Sequence, residues 1–151
     1  MTHTGPFWDA VEGRIPPPPA AQLLGWKLEE VDPAQGTVRI SFEARTEFTN
    51  PVGAIQGGFL SAMLDDTMGP ALIATLEPDQ FAPTLELKVN FLRPAYPGRL
   101  TGLGRVVHRG GTVAFLAGEL VGATGALLAT ATATARIVRV PSGPDPPLRG
   151  V

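Results

Sequence analysis

The first half of the chain contains two kinds of apolar pattern, one that alternates with polar residues and one that is apolar on every side. Residues 23–32 and 36–45 alternate apolar and polar positions, with the turn-forming sequence PAQG between them, which predicts two strands. Residues 57 to about 76 carry apolar residues on every side, a pattern typical of a buried helix. Pro70, inside this segment, predicts a kink or a locally altered hydrogen bond.

The second half of the chain returns to a period of two. We predict strands over four segments separated by turns rich in glycine or proline, namely 84–93, 99–108, 112–121 and 126–139. Tight turns join the last three segments, so these should be antiparallel neighbours. One long buried helix with a large antiparallel sheet predicts an α+β fold, in which a sheet of about six strands wraps around one central helix.

The two ends of the chain differ from this central part. Residues 7–13 favour one or two helical turns ending at Gly13, and the run IPPPPAA that follows favours an extended strap. Residues 141–151 are rich in proline and glycine, which is typical of a flexible tail. We therefore divide the chain into an N-terminal tail, short helix and strap (1–21), one domain (22–140) and a C-terminal tail (141–151).

Composition adds mainly exclusions. The 151 residues include no cysteine, and His3 and His108 are too far apart in sequence to suggest a ligand pair, so we expect no metal site. With a net charge of -2, the protein lacks the excess of basic residues that is typical of nucleic-acid-binding proteins. Without a signal-peptide pattern or a membrane-spanning apolar run, we expect a cytoplasmic protein with no nucleic-acid or membrane partner. The low charged fraction, 17%, favours an oligomer.

The predicted helix opens on Gly57-Gly58 and carries Asp65-Asp66 in its middle. A carboxylate is costly inside an apolar element, so a functional role competes with the simpler explanation of a solvated helix face. The glycines either form a tight loop or expose backbone N–H groups at a helix N-terminus, where these groups could stabilise an oxyanion.

The distance between these two features has a consequence. Gly57 and Asp65 are eight positions apart, or roughly 12 Å along a helix axis. A reacting carbon must lie about 3 Å from both a base and an oxyanion donor, so one helix cannot supply both groups. If the two act together, they come from antiparallel helices of two subunits, which predicts a two-fold dimer with shared active sites.

Between residues 22 and 140 the sequence resembles the hotdog-fold acyl-CoA thioesterases, in particular the PaaI-like and human thioesterase superfamily member 2 types. Their motif reads roughly N-x-x-G-x-x-H-G-G, with a carboxylate seven residues after the last glycine. It is matched here by Asn50, Gly53, Gly57, Gly58 and Asp65. Further similarities are Thr84, the segment FLRPA at 91–95 and the strand GALLATATATARI.

The resemblance implies a hotdog fold, a dimer with a continuous sheet, often assembled as a dimer of dimers (a homotetramer), and hydrolysis of an acyl-CoA thioester. It implies that the N–H of Gly57 binds the thioester oxygen and that Asn50 positions water or the carbonyl. Asp65 of the other subunit would act as general base or nucleophile, with Thr84 holding the water. Coenzyme A enters only as part of the substrate, with no other cofactor. Its candidate contacts are Gly58, Arg93, Arg105, Arg109 and Arg136.

One departure from the family motif leaves an alternative function open. Gln56 stands where the family has histidine, and glutamine can donate or accept a hydrogen bond but cannot act as a general acid or base. An acyl-CoA-binding protein without hydrolysis is therefore the alternative, and a purely structural oligomer is a third reading. The absence of a G-x-S-x-G motif argues against a serine hydrolase.

Three further expectations concern the same region. The hydratases of this fold use a histidine near the helix, and none is present here. Asp66 is expected to be structural or solvated. The acyl group stays undefined, because five large side chains either line an acyl pocket or belong to the core: Phe7, Trp8, Phe59, Met63 and Phe81.

Overall fold

A six-stranded antiparallel sheet packs against one long helix, which confirms the predicted fold class. The structure, a computed structural model, describes residues 3–140, so the C-terminal tail predicted over 141–151 lies outside the described residues. The helices are α1 (Pro6–Val11), α2 (Pro19–Leu23) and α3 (Gly57–Ile73), with a 3₁₀ turn at Thr46–Phe48.

The strands are β1 (Lys27–Asp32), β2 (Thr37–Ala44), β3 (Gln80–Phe81), β4 (Thr84–Phe91), β5 (Gly98–Arg109), β6 (Val113–Val121), β7 (Leu127–Arg136) and β8 (Val138–Arg139). The large sheet has the order β1-β2-β5-β6-β7-β4, and β3 pairs with β8. As predicted from the tight turns, β5, β6 and β7 are antiparallel neighbours.

Three glycines let α3 lie close to the sheet. A Cβ atom added at Gly102 would lie 2.1 Å from Oγ1 of Thr67, and one at Gly104 would lie 2.7 Å from the main-chain oxygen of the same residue. A Cβ at Gly118 would lie 2.9 Å from Cγ of Met68. Because contacts this short are not tolerated, β5 and β6 need glycine where α3 crosses them. The side chains of Thr67 and Met68 are fully buried there.

The alternating sequence of β7 places small residues against the helix. Along this strand threonines alternate with alanines, and the alanines are buried while the threonines are partly or fully exposed. The buried positions are Ala129, Ala131, Ala133 and Ala135. Small inward side chains leave room for the larger core residues of α3, of which Met63, Leu64, Met68 and Leu72 are completely buried.

The prediction of a strand over 23–32 was wrong at its beginning. Leu23 ends the short helix α2, and the strand begins only at Lys27. Pro19 occupies the first helical position, where the missing N–H costs nothing, and Gly25 ends the segment with φ +63°. The strand predicted over 126–139 is also interrupted, since β7 ends at Arg136 and β8 pairs with β3 instead.

The strand β4 forms one edge of the large sheet. Several large apolar side chains on and just beyond it are more than half exposed, namely Leu85, Phe91 and Leu92. An exposed apolar edge is unusual in a monomer, because it offers unpaired backbone groups to another chain. Among the described residues, no helix is both long and apolar enough to cross a membrane.

Candidate active site

The side chain of Asn50 organises the loop that leads into α3. Its Oδ1 atom accepts hydrogen bonds from the backbone N–H groups of Val52 and Ala54, each at 3.1 Å. Gly53 takes φ +83° in the same turn, which is a conformation that favours glycine. The Nδ2 amide of Asn50 donates to no acceptor within residues 3–140, so it is available to a ligand.

One backbone donor at the start of α3 is unused. The Oε1 atom of Gln56 accepts a hydrogen bond from the N–H of Gly58 at 2.8 Å and so caps the helix. The N–H of Gly57 meets no acceptor in the described part of the chain. Since unpaired N–H groups at a helix N-terminus attract negative charge, Gly57 is suited to an oxyanion. The N–H of Gly58 is already taken by Gln56.

Asp65 is held by the first residue of β4. Oγ1 of Thr84 donates a hydrogen bond to Oδ1 of Asp65 at 2.7 Å, and both residues are partly buried. The structure therefore brings together two residues that are 19 positions apart in sequence and that the resemblance to the family singled out. The hydroxyl leaves the second carboxylate oxygen, Oδ2, free to accept a proton.

The strand β4 carries both parts of the site, one at each end. Thr84 begins the strand and contacts Asp65. Phe91 ends it, and its ring lies beside Gly57, where an added Cβ would be 3.0 Å from Cζ of Phe91. The two ends of the eight-residue strand are roughly 23 Å apart at about 3.3 Å per residue. Within one chain, Asp65 and the free N–H of Gly57 therefore do not meet.

Of the two expectations for Asp66, structural or solvated, its partial burial favours the structural one. Its Oδ2 atom is buried and has no hydrogen-bond partner among the described residues. Burial, and then the neighbouring Asp65 carboxylate, raise the pKa of Asp66 to about 7. Its side chain thus changes charge near neutral pH, and it lines the same cavity as Asp65.

The main chain of Asp66 is tied to Trp26, which precedes β1. In a regular helix the carbonyl of Asp66 would accept a hydrogen bond from residue 70, but proline has no N–H to donate. The indole Nε1–H of Trp26 donates to this oxygen at 2.9 Å. The altered hydrogen bond that Pro70 predicted is therefore present, and a side chain from outside the helix supplies the missing donor.

A cavity of about 850 Å³ lies between α3 and the N-terminal segment. Asp65, Asp66 and Thr84 line it together with apolar residues, among them Trp8 and Trp26. We call residues 3–23, which comprise α1, the proline run and α2, the N-terminal arm; residues 4–22 supply more than half of the cavity lining. No lysine or arginine among residues 3–140 lines the cavity.

The candidate acyl-pocket residues divide into two groups. Phe7, Trp8 and Phe81 line the cavity. Phe59 stacks on Phe48 with ring centroids 4.2 Å apart, and Met63 is completely buried in the core. The sequence could not separate these groups, since both carry the same residue types in apolar segments.

The four candidate arginines do not form one cluster. Arg93 donates to the main-chain oxygen of Leu127 at 2.8 Å, at the start of β7, whereas Arg136 ends that strand. Arg109 contacts Thr75 behind the end of α3, with its Nη1 atom 3.1 Å from Oγ1. Arg105 lies on the outer face of the sheet beside β2 and β6. One chain therefore offers separate cations rather than a single phosphate site.

Sequence reasoning missed two contributors to this region. Trp26 was assigned only to a strand, although a proline inside a helix indicates a carbonyl four residues earlier that needs another donor. Within the N-terminal arm the sequence pointed to Phe7 and Trp8 as possible pocket residues, but the run IPPPPAA, predicted as an extended strap, also lines the cavity, and α2 begins inside it at Pro19. Across residues 3–140, no three His, Asp or Glu side chains converge as metal ligands would.

The fold and the site together define a hotdog protein with a carboxylate on its central helix. The model of the thioesterase superfamily matches residues 52–129 of this chain, and the chain belongs to that superfamily. Human acyl-coenzyme A thioesterase 13 is 30% identical over 112 residues, which cover 72% of this chain and 77% of the human protein.

Two solved structures extend the comparison to the whole domain. A phenylacetic acid degradation-related protein from Ralstonia eutropha JMP134 is 42% identical, with a TM-score of 0.83 over 86% of this chain and 98% of its own. The PaaI protein of the E. coli phenylacetic acid degradation operon is 20% identical, with a TM-score of 0.77 over 87% of this chain and 93% of its own. This second likeness shows the fold alone.

Proposed function

We propose that the protein hydrolyses an acyl-CoA thioester to the free acid and coenzyme A. The observation that carries the proposal is the hydrogen bond between Thr84 and Asp65 at a largely apolar cavity. It leaves one oxygen of a fixed carboxylate for proton transfer. Thioesters are reactive enough for a positioned base and an oxyanion donor to suffice. Membership of the thioesterase superfamily and the similarity to a human acyl-coenzyme A thioesterase support this choice.

In the proposed reaction, a water molecule attacks the thioester carbonyl carbon while Oδ2 of Asp65 accepts its proton. The hydroxyl oxygen of Thr84 can still accept a hydrogen bond from that water, because its own hydrogen is donated to Asp65. The carbon–sulfur bond then breaks, and the thiolate of coenzyme A receives the proton from Asp65. Direct attack by Asp65 on the carbonyl, followed by hydrolysis of the anhydride, is the variant with Asp65 as nucleophile.

The oxyanion donor in this proposal is the Gly57 N–H of a second subunit. Thr84 and Asp65 lie at the start of β4, and Phe91 and Gly57 lie at its end. If two copies of β4 pair antiparallel, the start of each strand meets the end of the other. The pairing brings Asp65 of one subunit towards Gly57 of the other and creates two equivalent sites. Asn50, with its free amide, would donate to the carbonyl or to the water.

The exposed apolar residues of the β4 edge support such a homodimer. Leu85, Phe91 and Leu92 are 61%, 53% and 51% exposed in the single chain, and pairing would cover them and continue the sheet. Association of two dimers into a tetramer stays a prediction, as does a cytoplasmic location.

Coenzyme A would contact both subunits at each site. Arg136 lies beside Thr84, because its N–H donates to the oxygen of Pro83 at 3.0 Å. Arg93 follows β4 at the Gly57 end. Antiparallel pairing would therefore place Arg93 of one subunit on the same side as Arg136 of the other, where both could bind phosphate. Arg105, Arg109 and Gly58 are the remaining candidates.

Release of free thiol from a panel of acyl-CoA esters tests the proposal. The unaltered protein should hydrolyse at least one ester, and Asp65→Asn should remove most of that activity. Asp66→Asn is the matched control and should retain most of it. Thr84→Ala should cause a partial loss, since Thr84 positions the carboxylate. Thiol release that is unchanged in Asp65→Asn would exclude the mechanism.

The alternative function, binding of acyl-CoA without hydrolysis, rests on Gln56. Its side chain caps α3 and cannot transfer a proton. Binding of acyl-CoA by calorimetry with no thiol release from any ester would establish this alternative. If the protein neither binds nor hydrolyses acyl-CoA, and if no CoA ester changes its thermal stability, a structural role is the remaining function.

A further inference from the structure

We infer that the cavity between α3 and the N-terminal arm receives the acyl group, and that the arm, through Trp8, determines which neutral apolar acyl groups are accepted. The inference rests on the proposed function and deepens it, because it assigns a ligand and a specificity element to a part of the chain outside the matched family region, residues 52–129.

The position of Asp65 and Thr84 fixes one end of the ligand. Both residues line the cavity, and a carbon attacked by water that Asp65 activates must lie about 3 Å from the water oxygen. The acyl chain is attached to that same carbon, so its first atoms lie at the cavity mouth. Beyond these atoms, the cavity of about 850 Å³ provides apolar space for the rest of the acyl chain.

Charge distinguishes the acyl end of the substrate from the coenzyme A end. From the described part of the chain, the cavity lining receives three acidic residues, Asp65, Asp66 and Glu77, and no lysine or arginine. Phosphate groups would be repelled by these carboxylates, whereas an uncharged acyl group would not. The same argument excludes acyl groups that end in a second carboxylate. The ligand class is therefore a neutral alkyl or aryl acyl group.

The arm is built as a firm wall rather than a loose tail. Trp8 is only 9% exposed although α1 has six residues, and Phe7 packs edge-on against it with ring centroids 5.1 Å apart. Four prolines at positions 16–19 restrict the backbone. The Nε2 amide of Gln22 donates to the oxygen of Pro17 at 2.6 Å, which ties the proline run to α2.

The arm is also separable from the sheet. No hydrogen bond joins residues 3–18 to residues 27–140 in the structure as described, so this part of the arm is held by apolar packing. Truncating a side chain that faces the cavity should therefore alter the pocket while the sheet and the Asp65–Thr84 hydrogen bond stay intact. This separation makes the inference testable by single substitutions.

The first test measures binding, so that it does not depend on hydrolysis. Thioether analogues of acyl-CoA, in which a CH₂–S linkage replaces the thioester, are titrated by calorimetry beside free coenzyme A. In the unaltered protein a longer neutral chain should bind more tightly than coenzyme A alone. Trp8→Ala should reduce that gain about tenfold and leave the affinity for free coenzyme A unchanged. Phe115→Ala, which truncates an aromatic side chain 49% exposed on β6, is the matched control.

The second test uses a variant that does not open the core. Ile15 lines the cavity and is 43% exposed, so Ile15→Arg adds a cation at little risk to folding. The variant should favour acyl groups that end in a carboxylate over neutral acyl groups. The preference is measured as the ratio of the two kcat/KM values, or of the affinities for the two thioether analogues. The inference would be overturned if the unaltered protein gained no affinity from a longer acyl chain, or if Trp8→Ala left that gain in affinity unchanged. It would also be overturned if Ile15→Arg did not shift the preference towards acyl groups that end in a carboxylate. Failure of hydrolysis alone would count against the proposed function and not against this one.

Discussion

The indole N–H of Trp26 donates to the main-chain oxygen of Asp66 at 2.9 Å, and this is the oxygen that Pro70 leaves without a helical donor. The contact ties the middle of α3 to the residue just before β1. On the neighbouring position, Thr84 at the start of β4 holds the Asp65 side chain. These two contacts fix one turn of α3, so Asp65 has a defined direction even though Pro70 removes a helical hydrogen bond.

Trp26→Phe should lower kcat by about three- to tenfold, with little change in KM, because the partly buried Asp66 carbonyl loses its donor. Pro70→Ala supplies a backbone N–H four residues after Asp66, so it should restore most of the loss when combined with Trp26→Phe. A double-mutant cycle of kcat and of thermal stability measures the coupling. If Pro70→Ala has the same effect with and without Trp26, the hydrogen bond does not position Asp65.

Gly57→Pro should lower kcat by about 10²- to 10³-fold, because it removes the N–H that would bind the oxyanion. Proline is well accepted at the first position of a helix, and Gln56 already has the extended backbone that precedes proline, with φ -63° and ψ 137°. Gly57→Ala is the matched control: it brings the same Cβ close to Phe91 but keeps the N–H. Equal losses in both variants would point to crowding rather than to the donor.

Mixing subunits tests whether the two halves of the site come from different chains. Gly57→Pro and Asp65→Asn homodimers should each be nearly inactive. After the two are unfolded and refolded together, half of the dimers should be hybrids in which one of the two sites is intact. Recovered activity measured against separately refolded samples supports the shared site, and no recovery would argue for a site within one chain.

Asp66→Asn should stabilise the protein more at pH 8 than at pH 5. The pKa of Asp66 is raised from 3.8 to about 7 in the folded state, so the folded protein binds the proton more tightly than the unfolded chain. The stability linked to this proton is fully present below the unfolded pKa and is lost as pH rises through about 7. The difference between variant and unaltered protein should grow by on the order of 2 kcal/mol from pH 5 to pH 8. Urea denaturation at both pH values measures it, with exposed Glu119→Gln as a control that should show no such change.

Gln56→His should preserve or raise activity, because an unprotonated imidazole nitrogen can accept the hydrogen bond from the N–H of Gly58 that Gln56 accepts now. Gln56→Ala, which cannot cap the helix, should destabilise the protein by about 1 kcal/mol. Thermal denaturation and acyl-CoA hydrolysis of both variants check this. Complete inactivation of Gln56→His would show that this site is built differently from the family pattern.

Much of the fold could be predicted because the pattern of apolar residues states it directly. The period of two over β5, β6 and β7 and the apolar residues on every side of α3 are local properties of the sequence. The errors occurred at the ends of elements, where a second signal overrides the alternation of apolar and polar residues. Apolar residues 23–26 resemble a strand, yet Pro19 starts a helix and Gly25 ends it. The break after Arg136 depends on β8 pairing with β3, which no local pattern reveals.

The candidate site was predictable only in part for a similar reason. The resemblance to the family singled out Asp65, by motif spacing, and Thr84, whose Oγ1 atom the structure places 2.7 Å from Oδ1 of Asp65. The donor role of Trp26 depends on its indole N–H meeting the main-chain oxygen of Asp66, which lies 40 positions away in sequence, and motif spacing carries no such information. The N-terminal arm could not be recognised from a motif, because it lines the cavity mainly with apolar side chains and supplies no catalytic group.

The arrangement of β4, with half of a site at each end, has a consequence for how much protein must be present. If each complete site needs two subunits, as we propose, a chain whose β4 edge is unpaired holds two incomplete sites and no complete one. Turnover per chain would then fall as the protein is diluted below the dissociation constant of the dimer, even when substrate is saturating. At concentrations below that dissociation constant, the rate of the reaction would increase more than in proportion to the protein concentration. The concentration of subunits would therefore itself regulate the reaction.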